Sequence, residues 1–136
     1  MSNRVSLKEA VRFHGHLGPY LVLGLLAGEA ALKKLKIKKY FDLELNVLGA
    51  NKKPKSCLID GLQLSTGATY GKGNIRKFNG SLINIEFCDT QKEKKILLKL
   101  KDALIKQLDN AKTHRDCESL AKKLYKTHYL KLFDLT

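Results

Sequence analysis

Hydrophobic residues recur at helical spacing through the first quarter of the chain. Ser6-Leu7-Lys8-Glu9 has the spacing of a capping box and predicts a short helix over about residues 7–12. Gly18-Pro19 predicts a second helix start, because proline is tolerated in the first helical turn. An apolar face at spacings of three and four residues extends this second helix to Leu35; its members are Leu21, Leu25, Leu26, Ala30 and Leu32.

From residue 43 onward the pattern changes to short alternating runs, which are typical of strands. Leu43–Leu48 predicts a strand, and residues 56–64 predict a helix with Ser56 as its cap. Further strands are expected at 75–78, 81–88, 95–100 and 130–133, with a hairpin turn at Asn79-Gly80, and further helices at 102–110 and 115–126. This order predicts an α+β fold: one domain over residues 1–136, with a mostly antiparallel sheet and helices packed on it.

The formal net charge of +13 points to an anionic partner, and nucleic acid is the first class to weigh. The distribution speaks against it, because the lysines are scattered and only four of the 26 basic residues are arginine. Tryptophan is absent, and no run of interleaved aromatic and basic residues predicts base stacking. A solvated, lysine-rich surface of the type found in thermophile proteins is therefore favoured, with nucleic-acid binding as an alternative.

The start of the chain and its cysteines bear on the compartment. The first residues carry no secretory h-region, and no apolar run is long enough for a membrane span. Cys57, Cys88 and Cys117 are odd in number and widely spaced, with no C-x-x-C pair. We therefore expect a cytoplasmic protein with reduced thiols and no membrane partner.

The turn between the first two predicted helices holds two of the chain's four histidines. His14 and His16 flank Gly15, and at i and i+2 they cannot share one face of a helix. On a turn, however, both side chains can point the same way. Imidazole is the commonest metal ligand and the side chain most easily made acid or base near neutral pH, so this turn is a candidate reactive centre.

Cys57 and Asp60 provide the remaining groups of a candidate metal site. Thiolate, imidazole and carboxylate together favour a divalent metal, with zinc as the first choice. We predict that His14, His16 and Cys57 are ligands and that Asp60 orients one of the histidines. The alternative is structural: the histidines end a helix, and Cys57 is a small buried apolar group.

The same residues predict an enzyme as a second possibility. If Cys57 lies at a helix N-terminus, its pKa is expected to be depressed, and the thiol would act as a nucleophile with His14 as its base. Whether the chain is an enzyme stays open. The other two histidines, His114 and His128, lie among lysines and are expected to be surface groups.

Residues 67–74 form a glycine-rich loop that only superficially resembles a phosphate loop. The spacing from Gly67 to Gly71-Lys72 is one residue short, and Gly73 stands where a magnesium-binding Ser or Thr is needed, so no nucleoside triphosphate site is expected. The loop can still present polar groups to a small anion. With two polar positions of the preceding helix, the predicted anion-binding residues are Asp60, Gln63, Thr69, Lys72 and Asn74.

Three motifs stand in order over about residues 6–87: Phe13-His14-Gly15-His16-Leu17-Gly18-Pro19, Cys57-x-x-Asp60-x-x-Gln63, and Thr66-Gly67-Ala68-Thr69-x-Gly71-Lys72-Gly73-Asn74. Together they resemble the E-type accessory family of formylmethanofuran dehydrogenase. The resemblance implies an α+β core domain, a homodimer, and a cleft lined by the histidines, the cysteine and the loop. It also implies an accessory role in molybdenum or tungsten one-carbon metabolism, with such a dehydrogenase complex as a partner.

Two departures from the family pattern limit what the site can do. Many members have a cysteine where this chain has Gly18, so dithiol chemistry within one chain is not expected. The chain also lacks the C-terminal cysteine-rich zinc finger of longer members, the module best suited to docking nucleic acid or protein. The leading hypothesis is a small cytoplasmic protein that binds a metal or an anion at His14, His16 and Cys57.

Overall fold

The computed structural model describes residues 4–136 and begins with a pair of helices. Helix α1 (Leu7–His14) starts at the predicted capping box: the Ser6 hydroxyl accepts from the Glu9 amide, and the Glu9 carboxylate accepts from the Ser6 amide. The helix runs two residues further than predicted and ends at Gly15, whose φ of 106° is left-handed and favours glycine. Helix α2 (Pro19–Leu35) begins with proline and extends over the predicted range.

Helix α3 (Cys57–Thr66) crosses α2 with the two backbones in direct contact. A Cβ atom on Gly24 would overlap the carbonyl oxygen of Leu58, and one on Gly61 would overlap that of Leu21. Only glycine fits at both positions. This crossing fixes the start of α3 against the start of α2, and it thereby brings the His14–His16 turn beside Cys57.

The strands form one five-stranded sheet in the order β2-β1-β3-β4-β5. Strand β2 pairs with β1 in parallel, whereas the other three pairings are antiparallel. The predicted α+β fold with a mostly antiparallel sheet is therefore confirmed. The strands are β1 (Leu43–Leu48), β2 (Ile75–Phe78), β3 (Asn84–Asp89), β4 (Lys94–Leu100) and β5 (Phe133–Leu135).

The predicted hairpin turn at Asn79-Gly80 is wrong. Strand β3 does not return beside β2 but pairs with β1 and β4, while β2 lies at the edge of the sheet. Burial explains the outcome, because alternate residues of β3 are buried, including Ile85 and Phe87, whereas Ile75 alone is buried in β2. The more apolar strand takes the central position, and residues 79–83 cross from one edge of β1 to the other.

Two further helices complete the chain: α4 (Asp102–Asn110) matches its predicted range, and α5 (His114–Tyr125) begins and ends one residue earlier than predicted. Residues 130–133, predicted as a strand, instead contain most of a short 3-10 turn (Tyr129–Lys131), and β5 follows it. Helix α2 lies at the centre of the core, with 13 of its 17 residues buried. Within residues 4–136, none of the helices is long and apolar enough to cross a membrane.

Candidate metal centre

The structure brings His14, His16 and Cys57 together. One donor atom from each residue lies within 4.8 Å of those of the other two. His14 is the last residue of α1, and the left-handed Gly15 turns the chain so that His16 faces back toward it. The two imidazole rings lie 4.6 Å apart, centroid to centroid, and Cys57 enters from the start of α3.

Asp60 holds His14 in one orientation. The distance between His14 Nδ1 and Asp60 Oδ2 is 2.6 Å. Because a carboxylate can only accept, the proton of a neutral imidazole lies on Nδ1, and Nε2 is left with a lone pair. That Nε2 atom is buried and has no hydrogen-bond partner, and the His14 side chain is only 10% exposed.

This geometry matches the usual surroundings of a metal-bound histidine. Metal-ligating imidazoles commonly donate their second ring nitrogen to a carboxylate, which fixes the tautomer and raises the basicity of the ligand. Two ligands of one zinc ion lie closer together than 4.8 Å, because each bond is about 2.0 to 2.3 Å long. The His16 side chain is exposed and can rotate inward to close this gap.

A chain of hydrogen bonds links the cluster to the glycine-rich loop. Gln63 donates from Nε2 to Asp60 Oδ1 (3.3 Å) and accepts at Oε1 from the Tyr70 amide (3.2 Å). The pKa of Tyr70 is raised by partial burial and by the nearby Asp60 carboxylate. Sequence reasoning missed Tyr70 because a single tyrosine in a flexible loop carries no periodic signal.

The prediction of a depressed Cys57 pKa is wrong. Partial burial and the Asp60 carboxylate raise the pKa of the thiol, and the opposing effect of Lys53 is smaller. Ser56 precedes the helix as predicted, but its side chain makes no capping hydrogen bond. The Cys57 amide instead donates to Pro54, and the Leu58 amide to Lys55, so the turn before the helix already uses these donors.

Thr69, Lys72 and Asn74 bond within or beside their own loop. Asn74 Oδ1 accepts from the Thr69 amide (2.9 Å), and Thr69 Oγ1 accepts from the Lys72 amide (3.0 Å). Lys72 Nζ donates to the Tyr40 carbonyl (2.7 Å) and lies 5.0 Å from the centroid of the exposed Phe41 ring. None of their hydrogen bonds within residues 4–136 reaches His14, His16 or Cys57, so their predicted role in anion binding stays a prediction.

A cavity of about 250 Å³ opens beside the cluster. His16 and Cys57 line one part of it, and the connection between α4 and α5 lines another. His114 is exposed, as expected, but it also borders this cavity together with Cys117. Local sequence patterns could not reveal this neighbourhood, because the two segments lie about a hundred residues apart in the chain.

These features define an α+β domain in which two imidazoles and one thiol converge between helix ends. The model of the FmdE family, described as molybdenum formylmethanofuran dehydrogenase operon, matches residues 13–134, and the chain belongs to this family. A protein of Archaeoglobus fulgidus named "Probable S-adenosyl-L-methionine-binding protein" is 33% identical over 72 residues. This match covers 51% of the chain and 19% of the length of that relative.

Proposed function

We propose that this protein binds one divalent metal ion, with zinc as the first choice, through His14, His16 and Cys57. The observation that carries the proposal is the buried Nε2 atom of His14, which lacks a partner beside two other donor groups. An unsatisfied buried acceptor costs about 1–3 kcal/mol, so a polar site of this kind calls for a bound group. Asp60 orients His14 through Nδ1.

Three protein ligands leave a coordination position open, which is typical of catalytic rather than structural zinc sites. When bound, such a metal lowers the pKa of a bound water or polarises a carbonyl group. The protein's own part is to hold the donors in place. Asp60 fixes the His14 tautomer, and Gln63 ties Asp60 to the loop at Tyr70.

The cellular role we propose is accessory to molybdenum or tungsten one-carbon metabolism in the cytoplasm, with a formylmethanofuran dehydrogenase complex as a partner. Membership of the FmdE family, whose description names that operon, supports this role. We also propose a homodimer. Phe13 and Phe41, which are 58% and 69% exposed, are suited to burial against a second copy, and light scattering in solution tests the expected mass.

A cysteine enzyme, with Cys57 as nucleophile and His14 as base, is less well supported because the pKa of the Cys57 thiol is raised. A smaller fraction of thiolate then exists at pH 7 than in a free thiol. We expect Cys57 to react with iodoacetamide more slowly than N-acetylcysteine at pH 7, and the difference to shrink as the pH rises. Faster labelling of Cys57 at pH 7 would support the enzyme instead.

Nucleic-acid binding has one specific observation in its favour. Tyr40 and Phe41 are exposed, and the ammonium group of Lys72 lies 5.7 and 5.0 Å from their ring centroids. Aromatic rings rimmed by cations can stack on single-stranded bases. The test is binding of a single-stranded oligonucleotide at two salt concentrations, with the Tyr40→Ala/Phe41→Ala double variant. Equal retention of the variant and the wild type would dismiss this candidate.

The metal proposal is tested by elemental analysis and chelator competition on protein without a histidine tag. We expect about one equivalent of zinc in the wild type, and loss of binding in His14→Ala. His128→Ala is the matched control, because the His128 ring nitrogen only accepts from the Leu130 amide near the C-terminus. Equal zinc binding by His14→Ala and His128→Ala would contradict the proposal.

A further inference from the structure

The cavity beside the candidate metal centre has the dimensions and polarity of a ligand site. Its volume of about 250 Å³ lies just below the roughly 300–1,000 Å³ of sites for drug-sized molecules, so its occupant is small. None of the residues that line it is acidic, while Lys112 and His114 border it. The charge of the wall therefore favours an anionic group over a cationic one.

The first turn of α2 supplies unpartnered hydrogen-bond donors at this cavity. Gly18, Pro19 and Tyr20 line it, and Gly18 has no side chain to cap the helix. Among residues 4–136, no protein acceptor receives a hydrogen bond from the amides of Tyr20 or Leu21. A helix N-terminus with free amides carries a partial positive charge and favours an anion.

The His14 side chain gives a second, independent indication of a ligand at this place. It is nine-tenths buried, its Nε2 has no partner, and it clusters with His16 and Cys57, which both line the cavity. Leu17, Leu108 and Ala111 supply an apolar surface on the remaining walls. The cavity thus joins a polar end to an apolar body.

We propose that this cavity binds a small carboxylate with a short apolar body. The carboxylate accepts from the amides of Tyr20 and Leu21 at the start of α2, and the body packs against Leu17, Leu108 and Ala111. This assignment extends the proposed function, because the ligand lies beside the metal ligands His16 and Cys57. It requires no metal for the binding itself, so the two proposals can fail separately.

The test uses hexanoate and its neutral isostere hexanamide, titrated into the full chain with and without one equivalent of zinc and followed by amide chemical shifts. We expect hexanoate to shift the Tyr20 and Leu21 amide signals and to bind about 2- to 30-fold more tightly than hexanamide, the range given by helix-terminus interactions. Equal binding of the two compounds, or shifts that do not include the start of α2, would overturn the proposal.

Two variants make the test independent of the shift pattern. In Ala111→Phe the ring fills the cavity, and we expect hexanoate affinity to fall about tenfold or more, since the apolar contacts are lost. Ala103→Phe is the matched control on an exposed position of α4. Gly18→Asp supplies an internal carboxylate at the helix start, at a backbone conformation suited to a cap, and should abolish hexanoate binding.

Unchanged hexanoate affinity in Gly18→Asp, or equal affinity in the two phenylalanine variants, would contradict the site. Hexanoate binding without zinc binding would leave this inference intact and remove the metal proposal. Zinc binding without hexanoate binding would do the reverse.

Discussion

The His14–Cys57 cluster and the glycine-rich loop that follows α3 are both rich in polar groups, yet they differ in whether those groups are satisfied. In the loop, Thr69 and Asn74 bond to backbone amides of the same loop, and Lys72 bonds to Tyr40. In the cluster, His14 is fixed on one side by Asp60 and left unpartnered on the other. A buried donor or acceptor without a partner therefore marks a ligand site better than polar composition does.

Removing the thiol should widen the contrast between cluster and loop most. We expect Cys57→Ser to weaken zinc binding by more than the roughly 10- to 100-fold that is typical when an outer partner of a ligand is lost. Chelator competition measures the change. Cys88→Ser, at a half-buried position of β3 outside the cluster, should bind zinc as the wild type does. Similar zinc affinities in the two serine variants would remove the distinction.

Removing the charge that orients His14 should have the next largest effect. In Asp60→Asn the neutral amide no longer fixes the Nδ1–H tautomer, and we expect zinc affinity to fall about 10- to 100-fold. Asp134→Asn is the control, because its carboxylate is 61% exposed and lies 3.8 Å from Lys101. An Asp60→Asn protein that folds and binds zinc at full affinity would show that the His14–Asp60 pair is only structural.

The two regions also differ in how tightly their glycines are packed. Gly61→Ala places a methyl group on the Leu21 carbonyl and should lower the free energy of unfolding by about 1–3 kcal/mol, with weaker zinc binding because Cys57 shifts. Gly71→Ala in the loop meets only Thr69 Oγ1, at 3.7 Å, and should be nearly neutral. Urea unfolding of both variants measures the difference. A stable Gly61→Ala protein with wild-type zinc affinity would mean that the helix crossing does not position the site.

The smallest effect on metal binding is expected in the loop. Asn74→Ala removes the acceptor of the Thr69 amide and should cost about 0.5–1.5 kcal/mol of stability. Zinc affinity, measured by the same chelator competition, should change less than about twofold, because Asn74 bonds to the loop and not to the cluster. Lys72→Ala should behave in the same way. A large loss of zinc affinity in either variant would erase the contrast between the two regions.

Local signals in the sequence were sufficient for much of the fold. The capping box at Ser6 and Glu9, the proline at the start of α2 and the alternation in β1 each predict an element that the structure contains. The hairpin prediction at Asn79-Gly80 failed because strand order depends on which strand buries more apolar surface, and this is a property of the whole sheet.

The candidate site was predictable in its residue types but not in its electrostatics or its surroundings. His14, His16 and Cys57 stand out as metal-binding residue types, and the structure brings them together. The raised pKa of Cys57 was not foreseen, because it arises from burial and from Asp60, which no spacing rule measures. The cavity wall from α5 was missed for a related reason, since it depends on how α4 and α5 pack against the start of α2.

The proposal that His14, His16 and Cys57 hold one divalent ion is the one on which the others depend most. X-ray absorption at the zinc edge, on protein loaded with one equivalent, probes these ligands directly. We predict nitrogen or oxygen neighbours at about 2.0–2.2 Å, including two imidazoles, and a single sulfur at about 2.3 Å that disappears in Cys57→Ser. A spectrum without a sulfur neighbour, or one unchanged by Cys57→Ser, would contradict the proposal.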